Sequence, residues 1–425
     1  MKKRDFLIRI SRFHVIWFWE QNHMNKSSYF FGQSVFGQLI SLLDLNKIKT
    51  LGKQHKSDHY VKKFDTSDHL ISMLFSTFAN CTSLREVAAS MLGLKGKMSH
   101  FQLKHIPYRS TLSDANKRRS HLVFQDVYYS LLKEYQPIIS DSRKIYAWED
   151  RIEIIDSSTI SLFKDILSSV GRKPNTGRRK GGIKVHTQIN LQERVPKLIW
   201  FSAARTHDKQ FLKHLQLEKG KIAVFDKGYN DYQTFDEFNE NGFFFVTRLK
   251  YNASYESVKE NEIPSYIDNG VIKDEVISVD VKENGAYLKT IKLRKVAYWD
   301  EESKRCFEFI TNLDGMNAGH IALIYKKRWQ IELLFKQLKQ NFPLKFFLGD
   351  NENAIKIQIW CALIVNLPLT VIHKKIKRKW AFSNIASFCR LHLFNYIHLT
   401  KFLENPEKDW IVEYDPQLQI EFSSS

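Results

Sequence analysis

The spacing of hydrophobic residues divides the chain into stretches of different secondary structure. Between residues 34 and 135, apolar side chains recur every three or four positions, as at Leu70, Leu74 and Phe78. This period predicts a series of amphipathic helices. One of them is predicted over residues 84–92, where a serine precedes the apolar run and a glycine follows it.

At residue 152 the period changes to that of strands separated by short helices. Asp156 directly follows the first predicted strand, and Asp226 directly follows the fourth. Strands that alternate with helices in this way predict an α/β fold. The predicted elements are, in chain order, strands 152–155, 183–190 and 197–202, helix 208–217, strand 221–225, helix 232–241 and strand 243–247.

Two more stretches complete the chain. Residues 251–310 contain short runs of alternating apolar and polar residues, which predict a β-rich insertion. Helical periodicity then returns and predicts helices over residues 321–340, 354–376 and 383–402. We therefore predict five regions. Residues 1–23, a basic and aromatic stretch ahead of Met24, are predicted to be an upstream extension that is not part of the fold. The other four are a helical domain (24–145), the α/β core (146–250 with 311–378), the β-rich insertion (251–310) and a helical region with a tail (379–425).

The composition adds a strong positive charge to this picture. Lys and Arg number 65 and Asp and Glu number 46, which gives a formal net charge of +19. Such a surplus favours a polyanionic partner, most commonly nucleic acid, and a basic protein without such a partner is the alternative. The helical region 24–145 has two interpretations, since it contains no clear helix-turn-helix pattern: it recognises DNA sequence, or it only packs as a domain.

Composition also excludes several classes of protein. Hydrophobic residues make up 43% of the chain, which is enough to build a core, so global disorder is excluded. The most apolar stretch, residues 355–372, is interrupted by Lys356 and Pro368, which argues against a membrane helix. The cysteines lie far apart without a CxxC pair, which excludes a disulfide scaffold and a cysteine-based zinc site and fits a reducing cytoplasm.

Asp156 and Asp226 are candidate metal ligands because each ends a predicted strand. Two carboxylates at one edge of a sheet repel each other unless a cation lies between them, and hard divalent ions such as Mg²⁺ prefer such oxygen ligands. A site with two ions can activate water or a 3′-hydroxyl at one ion and stabilise the leaving oxygen at the other. Each aspartate alone is a weak indication, since loops are rich in Asp.

The predicted helix 321–340 carries a polar stripe. At about 100° per residue, Arg328, Glu332 and Lys339 lie within about 60° of Tyr325, apart from the apolar face of the helix. An ordinary solvated face with an Arg328–Glu332 pair one turn apart is the alternative. If the stripe faces the two aspartates instead, Glu332 completes a metal site and the cationic side chains hold phosphates.

The spacing Tyr325-(2)-Arg328-(3)-Glu332-(6)-Lys339 resembles the Y-R-E-K signature of bacterial insertion-sequence DDE transposases of the IS-four family. Asp156, in IIDSST, and Asp226, in VFDKGY, look like the first and second catalytic aspartates of that family. The resemblance extends over roughly residues 30–403. It implies an RNase H-like catalytic core that is interrupted by a β-rich insertion, with helical regions at both ends.

The resemblance also implies an activity, which is cut-and-paste movement of a DNA element. Asp156, Asp226 and Glu332 would bind two Mg²⁺ ions, for which Mn²⁺ can substitute. Hydrolytic nicking would be followed by hairpin formation and strand transfer into target DNA. Tyr325, Arg328 and Lys339 would hold the phosphates near the terminal nucleotides. The helical amino-terminal domain would bind the terminal inverted repeats, and a homodimer would hold the paired ends together. The protein would act in the bacterial cytoplasm, at the nucleoid, and would not bind a membrane.

Several other residues are candidates for DNA contact. A glycine-rich loop after the first strand carries basic side chains that can contact phosphates, although a solvated loop is the alternative. Trp299, near the end of the insertion, is a candidate for stacking on a flipped base. Trp329 is an alternative candidate for the same role, although its position on the helix beside the stripe favours packing. The basic residues of the loop are Lys173, Arg178, Arg179 and Lys180.

Some alternatives stay open from the sequence. His186 and the pair His207-Asp208 either support the metal ligands or are structural, and a structural histidine is the more common case. An RNase H-like nuclease without strand transfer would leave the stripe and the insertion without a purpose. An inactive DNA-binding remnant of a transposase is a further alternative, although the three acids and their three stripe partners are all present.

Overall fold

The computed structural model describes residues 32–140, 143–162, 171–172, 180–263, 270–283 and 285–407. The predicted extension 1–23 and the loop residues Lys173, Arg178 and Arg179 lie outside the described residues. Lys180 is the first residue of a strand, and its DNA contact stays a prediction.

Helices form both ends of the described chain and strands form its middle. The helices are α1 (Val35–Ser41), α2 (Leu45–Gln54), α3 (Thr66–Phe78), α4 (Leu84–Leu92), α5 (Arg109–Arg118), α6 (His121–Ile139), α7 (Tyr232–Asn241), α8 (Ala318–Lys326), α9 (Trp329–Asn341), α10 (Glu352–Lys375), α11 (Phe382–Leu391) and α12 (Leu399–Glu404). The strands are β1 (Ile152–Leu162), β2 (Gly171–Arg172), β3 (Lys180–Asn190), β4 (Pro196–Ala203), β5 (Ile222–Val224), β6 (Phe244–Arg248), β7 (Glu256–Glu260), β8 (Val271–Glu283), β9 (Ala286–Asp300) and β10 (Arg305–Thr311).

Short polar side chains begin several of the helices, as the sequence predicts for α4. The hydroxyl of Ser83 accepts a hydrogen bond from the backbone N–H of Glu86 at 3.2 Å. The carboxylate of Glu86 in turn accepts from the backbone N–H of Thr82 at 2.7 Å. These reciprocal bonds satisfy N–H groups that the first turn of a helix leaves unpaired.

The strands form one mixed sheet with the order β2-β3-β1-β5-β6-β10-β9-β8-β7, and β4 pairs with β3. β1 pairs antiparallel with β3 and parallel with β5, and β5 pairs parallel with β6. Alternate side chains of these strands point to opposite faces. Ile154 and Val224 join a core shared with the end helices, whereas Ile155 and Phe225 join a second core beneath α7. The sheet is therefore covered on both faces.

The described strands of the predicted β-rich insertion 251–310 join the central sheet. β10 pairs antiparallel with β6, so that Ile310 lies opposite Thr247. The edge of β6 carries unpaired backbone groups that another strand can satisfy. The inserted strands use that edge and extend the central sheet.

Within the described residues, helices of the predicted domain 24–145 contact the predicted helical region 379–425. The side-chain amide of Gln38 on α1 donates to the carbonyl of Ile397 at 2.6 Å and accepts from the N–H of Leu399 at 3.0 Å. On α10, Trp360 packs against Tyr128 of α6 with ring centroids 5.6 Å apart. These contacts join residues far apart in the sequence, and local patterns cannot predict them.

The predicted helix 383–402 is two helices, α11 and α12, with a connecting segment between them. The carbonyls of Leu393 and Asn395 in that segment accept hydrogen bonds from the N–H groups of Phe36 and Val35, each at 2.9 Å. The chain leaves the helical path there because these carbonyls complete the first turn of α1.

The predicted helix 208–217 is a 3₁₀ run over Asp208–His214. The backbone of Gln216 exchanges two hydrogen bonds with the side chain of Gln188 on β3, at 3.1 and 3.3 Å. These bonds hold Gln216 against the sheet and prevent a longer helix.

By length and apolar composition, α10 satisfies the requirement for a membrane-crossing helix. Of its most apolar stretch, however, 89% is buried inside the protein. The core helix of a soluble protein passes the same composition test.

A buried ion pair connects the inserted strands to the start of α8. Arg294 of β9 donates to both carboxylate oxygens of Asp274 on β8, at 3.0 and 2.6 Å. The same guanidinium donates to the carbonyls of Leu313 and Asp314, just ahead of α8. Because both side chains are at least 93% buried, neither charge can be satisfied by water if its partner is removed.

We predict that Asp274→Ala destabilises the protein by about 3–5 kcal/mol, because it leaves the Arg294 charge buried and unpaired. Chemical denaturation followed by circular dichroism measures the change. Glu301→Ala is the matched control, since it breaks an exposed pair with Lys304 and should change stability little. Equal, small effects of the two substitutions would show that the buried pair does not contribute to stability.

Candidate active site

The strand register places Asp156 and Asp226 side by side. Ile154 of β1 lies opposite Val224 of β5, and each aspartate lies two residues further along its strand direction. The sequence predicts that β1 ends at Asp156, whereas β1 continues to Leu162 because β3 pairs with it along that length. Asp156 therefore lies within a strand but beyond the part that pairs with β5. Both carboxylates are carried to the face that α9 covers.

Asp226, two residues beyond the end of β5, is the N-cap of a 3₁₀ turn, Lys227–Tyr229. Its carboxylate accepts hydrogen bonds from Arg248 at 2.7 Å and from the hydroxyl of Tyr325 at 3.2 Å. Burial alone would raise the pKa of Asp226, but the hydrogen bond and charge of Arg248 outweigh burial and lower it. Asp226 is therefore an ionised carboxylate at neutral pH.

Arg248 is a site residue that the sequence analysis missed. Val224 of β5 lies opposite Val246 of β6. Arg248 comes two residues after Val246, just as Asp226 comes two residues after Val224, so the two side chains lie at the same level of the sheet. Its guanidinium also lies 5.7 Å from the centre of the Tyr325 ring. A polar residue at the end of the next parallel strand was the available indication, because carboxyl ends of parallel strands meet at one edge.

The predicted helix 321–340 is interrupted at Arg328 by a turn between α8 and α9. The N–H of Arg328 bonds to the carbonyl of Tyr325 at 3.0 Å, which is the tighter 3₁₀ pattern. Arg328 nevertheless donates to Asp156 at 2.9 Å and to Glu332 at 2.6 Å. The structure thus brings together Tyr325, Arg328 and Glu332 with the two aspartates.

The electrostatics of this cluster follow from burial and from Arg328. Burial raises the pKa of Asp156 to about 6, against the opposing effects of the Ser157 N–H and the Arg328 charge, and the charges of Glu332 and Asp226 add to the rise. Burial raises the pKa of Tyr325 to about 12, so that its hydroxyl stays protonated and donates to Asp226. Three carboxylates thus share the site with two guanidinium groups.

The donor set fits a divalent cation, because carboxylate oxygens are the ligands that such ions prefer. In the arrangement observed, the guanidinium of Arg328 lies between Asp156 and Glu332 and supplies the cationic charge. Within the described ranges, no three His, Cys, Asp or Glu side chains already converge closely enough to hold one ion. A metal ion and Arg328 would therefore use the same carboxylate oxygens.

A cavity of about 400 Å³ lies beside Glu332, between β1 and α9. Lys339 lines it, as does Ser158 of β1, which points to the same face as Asp156. Lys339 is exposed and contributes positive charge to this cavity rather than a contact with the aspartates. The lining residues are Ser158, Glu332, Phe335, Lys336, Lys339 and Gln340.

Trp299 lies on β9, away from the contacts that define the cluster. Its indole N–H donates to Glu301 at 2.9 Å, and its backbone N–H donates to Gly270. Trp329 is 55% exposed at the start of α9, which differs from the packing role predicted for it. In the part of the chain that the structure describes, no hydrogen bond joins Trp299 to the three acids, and its stacking role stays a prediction.

His186 and Asp208 lie on the opposite face of the sheet from the cavity. His186 is fully buried, and burial lowers its pKa to about 4. Its ring lies 2.8 Å from the hydroxyl of Ser202, and Asp208 accepts from Ser157 at 3.0 Å. His207 directly precedes the 3₁₀ run that carries Asp208. Asp208 is thus connected to the residue that follows Asp156.

Comparison with known families gives a match over most of this site. Residues 147–367, more than half of the chain, match the model of the transposase DDE domain. That range contains Asp156, Asp226 and Glu332 together with Tyr325 and Arg328. Residues 31–104 match a domain of unknown function.

Individual relatives agree with the family match. A Sinorhizobium fredii protein named as a transposase, y4zB, is 30% identical over 62% of this chain and 71% of its own length. A Synechocystis protein named as the transposase of insertion sequence element IS4SA is 30% identical over the same shares of the two chains. A cryo-EM structure of a piggyBac transposase synaptic complex with hairpin DNA covers 88% of this chain and 82% of its own, at 10% identity and a TM-score of 0.40. At that score the likeness supports no conclusion about this chain.

The family model covers more than half of the chain, and the relatives named above include the transposase of an insertion sequence. The prediction made from the two aspartates and the Y-R-E-K spacing is confirmed at the level of the family. The chain belongs to the DDE transposases of bacterial insertion sequences, enzymes that cleave DNA and transfer its strands.

Proposed function

We propose that this transposase moves its element by a cut-and-paste route with Asp156, Asp226 and Glu332 as ligands of two Mg²⁺ ions. DDE transposases generally use divalent metal ions. The observation that carries the proposal is that Asp156 and Glu332 both bind Arg328, while Asp226 lies beside Asp156 on the neighbouring parallel strand. When bound, Mg²⁺ supplies charge that activates an attacking oxygen and stabilises a leaving one.

We also propose that the sheet is an RNase H-like core. Its central strands have the order β4-β3-β1-β5-β6, with antiparallel pairing among the first three and parallel pairing from β1 to β6. Asp156 and Asp226 lie just beyond the paired residues of the parallel strands β1 and β5, on the carboxyl side, where α/β sheets place their sites. The strands β7 to β10 enter the chain between Asp226 and Glu332, in the order that this core with its β-rich insertion requires.

The cationic side chains are assigned to DNA phosphates. The Nε atoms of Arg328 and Arg248 are buried without a hydrogen-bond partner among the described residues. A guanidinium presents a fork of donors that matches phosphate oxygens, and a buried donor without a partner is costly. Tyr325 adds a protonated hydroxyl, and Lys339 adds charge at the cavity beside Glu332.

The proposed reaction is a sequence of phosphoryl transfers at the two ends of the element. A nick frees a 3′-hydroxyl, which attacks the opposite strand and makes a hairpin, and the reopened end then joins target DNA. Each step displaces one oxygen at phosphorus by another, so positioning and charge stabilisation carry most of the catalysis. The site residues act by holding the scissile phosphate against the acids.

The proposed partners are the terminal inverted repeats and target DNA, and a second copy of the chain in the paired-end complex. The formal charge of +19 favours a polyanion. We assign the recognition of the repeats to the helices between residues 32 and 140, and catalysis to the sheet with α8 and α9. We propose that the protein acts on DNA in the bacterial cytoplasm, at the nucleoid.

We predict that Asp156→Ala, Asp226→Ala and Glu332→Ala each abolish cleavage at the element ends by at least 100-fold, since charge stabilisation at the reacting phosphate is removed. The substrate is linear DNA that carries both gene-flanking ends, with Mg²⁺, and the products are separated on denaturing gels. Wild type should release hairpin-ended fragments, and the three variants should still bind the ends.

Glu240→Ala, which removes an exposed acid on α7, is the matched control and should cleave normally. Loss of end binding in the three variants would assign the acids a structural role instead. Cleavage by wild type of any duplex, without preference for the ends, would favour a nuclease over a transposase.

We predict opposite effects of Arg328→Ala on metal binding and on strand transfer. Without the guanidinium, Asp156 and Glu332 lose a competing cation, so DNA-free protein should bind Mn²⁺ several-fold more tightly, an effect of about 1 kcal/mol. Strand transfer should fall because a phosphate contact is lost. Calorimetric titration with Mn²⁺ and a joining assay with pre-cleaved ends measure the two effects.

Lys304→Ala provides the control for removal of one positive charge, since among the described residues Lys304 pairs with the exposed Glu301 and not with the three acids. Unchanged strand transfer by Arg328→Ala would remove Arg328 from the active site. Weaker Mn²⁺ binding by that variant would show that Arg328 organises the carboxylates rather than competing for them.

A further inference from the structure

A polar cluster lies behind the proposed metal ligands, on the other face of the sheet. Asp156 and Ser157 are neighbours on β1, and their side chains point to opposite faces. The backbone N–H of Ser157 donates to the carboxylate of Asp156 at 2.7 Å. Its hydroxyl donates to Asp208 at 3.0 Å. Ser157 thus connects the front carboxylate to the groups behind the sheet.

The same cluster reaches the turn that carries Asp226. Tyr229 lies three residues after Asp226 in the 3₁₀ turn and is 2% exposed. Its hydroxyl lies 3.4 Å from Nδ1 of His186. That nitrogen lies 3.7 Å from the carboxylate of Asp208, which accepts the hydrogen bond from Ser157. Ser157, the neighbour of one candidate ligand, is therefore linked through Asp208 and His186 to the turn that carries the other. This link is independent of Arg328, which lies on the front face.

Asp208 and Lys184 complete the cluster and balance its charge. The ammonium group of Lys184 donates to Asp208 at 3.1 Å and to the carbonyl of Thr206 at 3.1 Å. Nδ1 of His186 lies 3.7 Å from Asp208, while burial keeps that ring neutral at pH 7. Asp208 and Lys184 offset each other, so the cluster can be rigid and half-buried without an unpaired charge.

We propose that this back-face cluster, made of Ser157, Lys184, His186, Asp208 and Tyr229, fixes the separation of Asp156 and Asp226 and so sets the affinity of the site for divalent ions. The inference rests on the proposed function of the two aspartates as metal ligands. Tyr229 and Asp208 are positioning residues, since they act through Ser157 and the 3₁₀ turn. Groups that orient metal ligands in this way commonly change metal affinity by 10–100-fold when they are removed.

Tyr229→Phe tests the proposal, because it removes only the hydroxyl and keeps the ring that packs at 6.0 Å from Phe225. We expect this variant of the full chain to bind Mn²⁺ about 10-fold more weakly in calorimetric titration without DNA. The Mg²⁺ concentration for half-maximal cleavage should rise by a similar factor, while binding of the element ends in EDTA stays unchanged. Ser157→Ala removes the other end of the same link and should give a similar shift.

Tyr232→Phe is the matched control, since it makes the same chemical change nearby on α7. Within the described residues, the hydroxyl of Tyr232 has no hydrogen bond to the cluster, so its Mn²⁺ affinity should equal that of wild type. The double variant Ser157→Ala with Tyr229→Phe should lose no more affinity than either single one, because both remove one link.

The outcomes separate this inference from the proposed function. If wild type binds Mn²⁺ in a way that Asp156→Ala abolishes, and both Tyr229→Phe and Ser157→Ala bind equally well, the back-face cluster does not set metal affinity. If wild type shows no binding that depends on Asp156, the proposed metal site is itself wrong. Loss of thermal stability in Tyr229→Phe, with normal Mn²⁺ affinity in Ser157→Ala, would make the cluster structural only.

Discussion

The repulsion among three carboxylates at one edge of the sheet is the constraint on which the site depends. Like charges a few ångströms apart in a partly buried site raise the free energy of the folded chain unless cations lie among them. Arg328 meets that need between Asp156 and Glu332, and Arg248 meets it at Asp226. Because a guanidinium stays charged at any physiological pH, Arg328 can bind either carboxylates or a phosphate without a change in protonation.

That role requires the turn between α8 and α9 to be held firmly. At the start of α8, Arg294 bonds to the carbonyls that precede the helix. At its end, Lys327 pairs with Glu149 at 3.1 Å, just ahead of β1. His320 of α8 also packs against Tyr146, with ring centroids 5.0 Å apart. The segment before β1, which leads to Asp156, therefore contacts α8 and the turn that carries Arg328.

The sequence predicts the parts of the site that local spacing controls. Asp156 and Asp226 follow apolar runs. The spacing from Arg328 to Glu332 survives the break in the helix because Arg328 directly precedes α9 and has helical backbone angles. Arg248 could not be predicted in the same way, since its role depends on the register of β5 with β6. Nor could the joining of α1 to the end of the chain, where Gln38 bonds to a residue 359 positions away.

The same long-range contacts argue against a flexible division between a DNA-binding region and a catalytic core. The hydroxyl of Tyr128 on α6 donates to the carbonyl of Pro196, and that of Tyr129 accepts from the N–H of Ile199, so that α6 is fixed to β4. β4 pairs with β3, and β3 pairs with the strand that carries Asp156. Trp360 of α10 packs against the same helix. DNA held by the helices between residues 32 and 140 would thus be positioned by the packed core against the acids, because no hinge separates the two along this path.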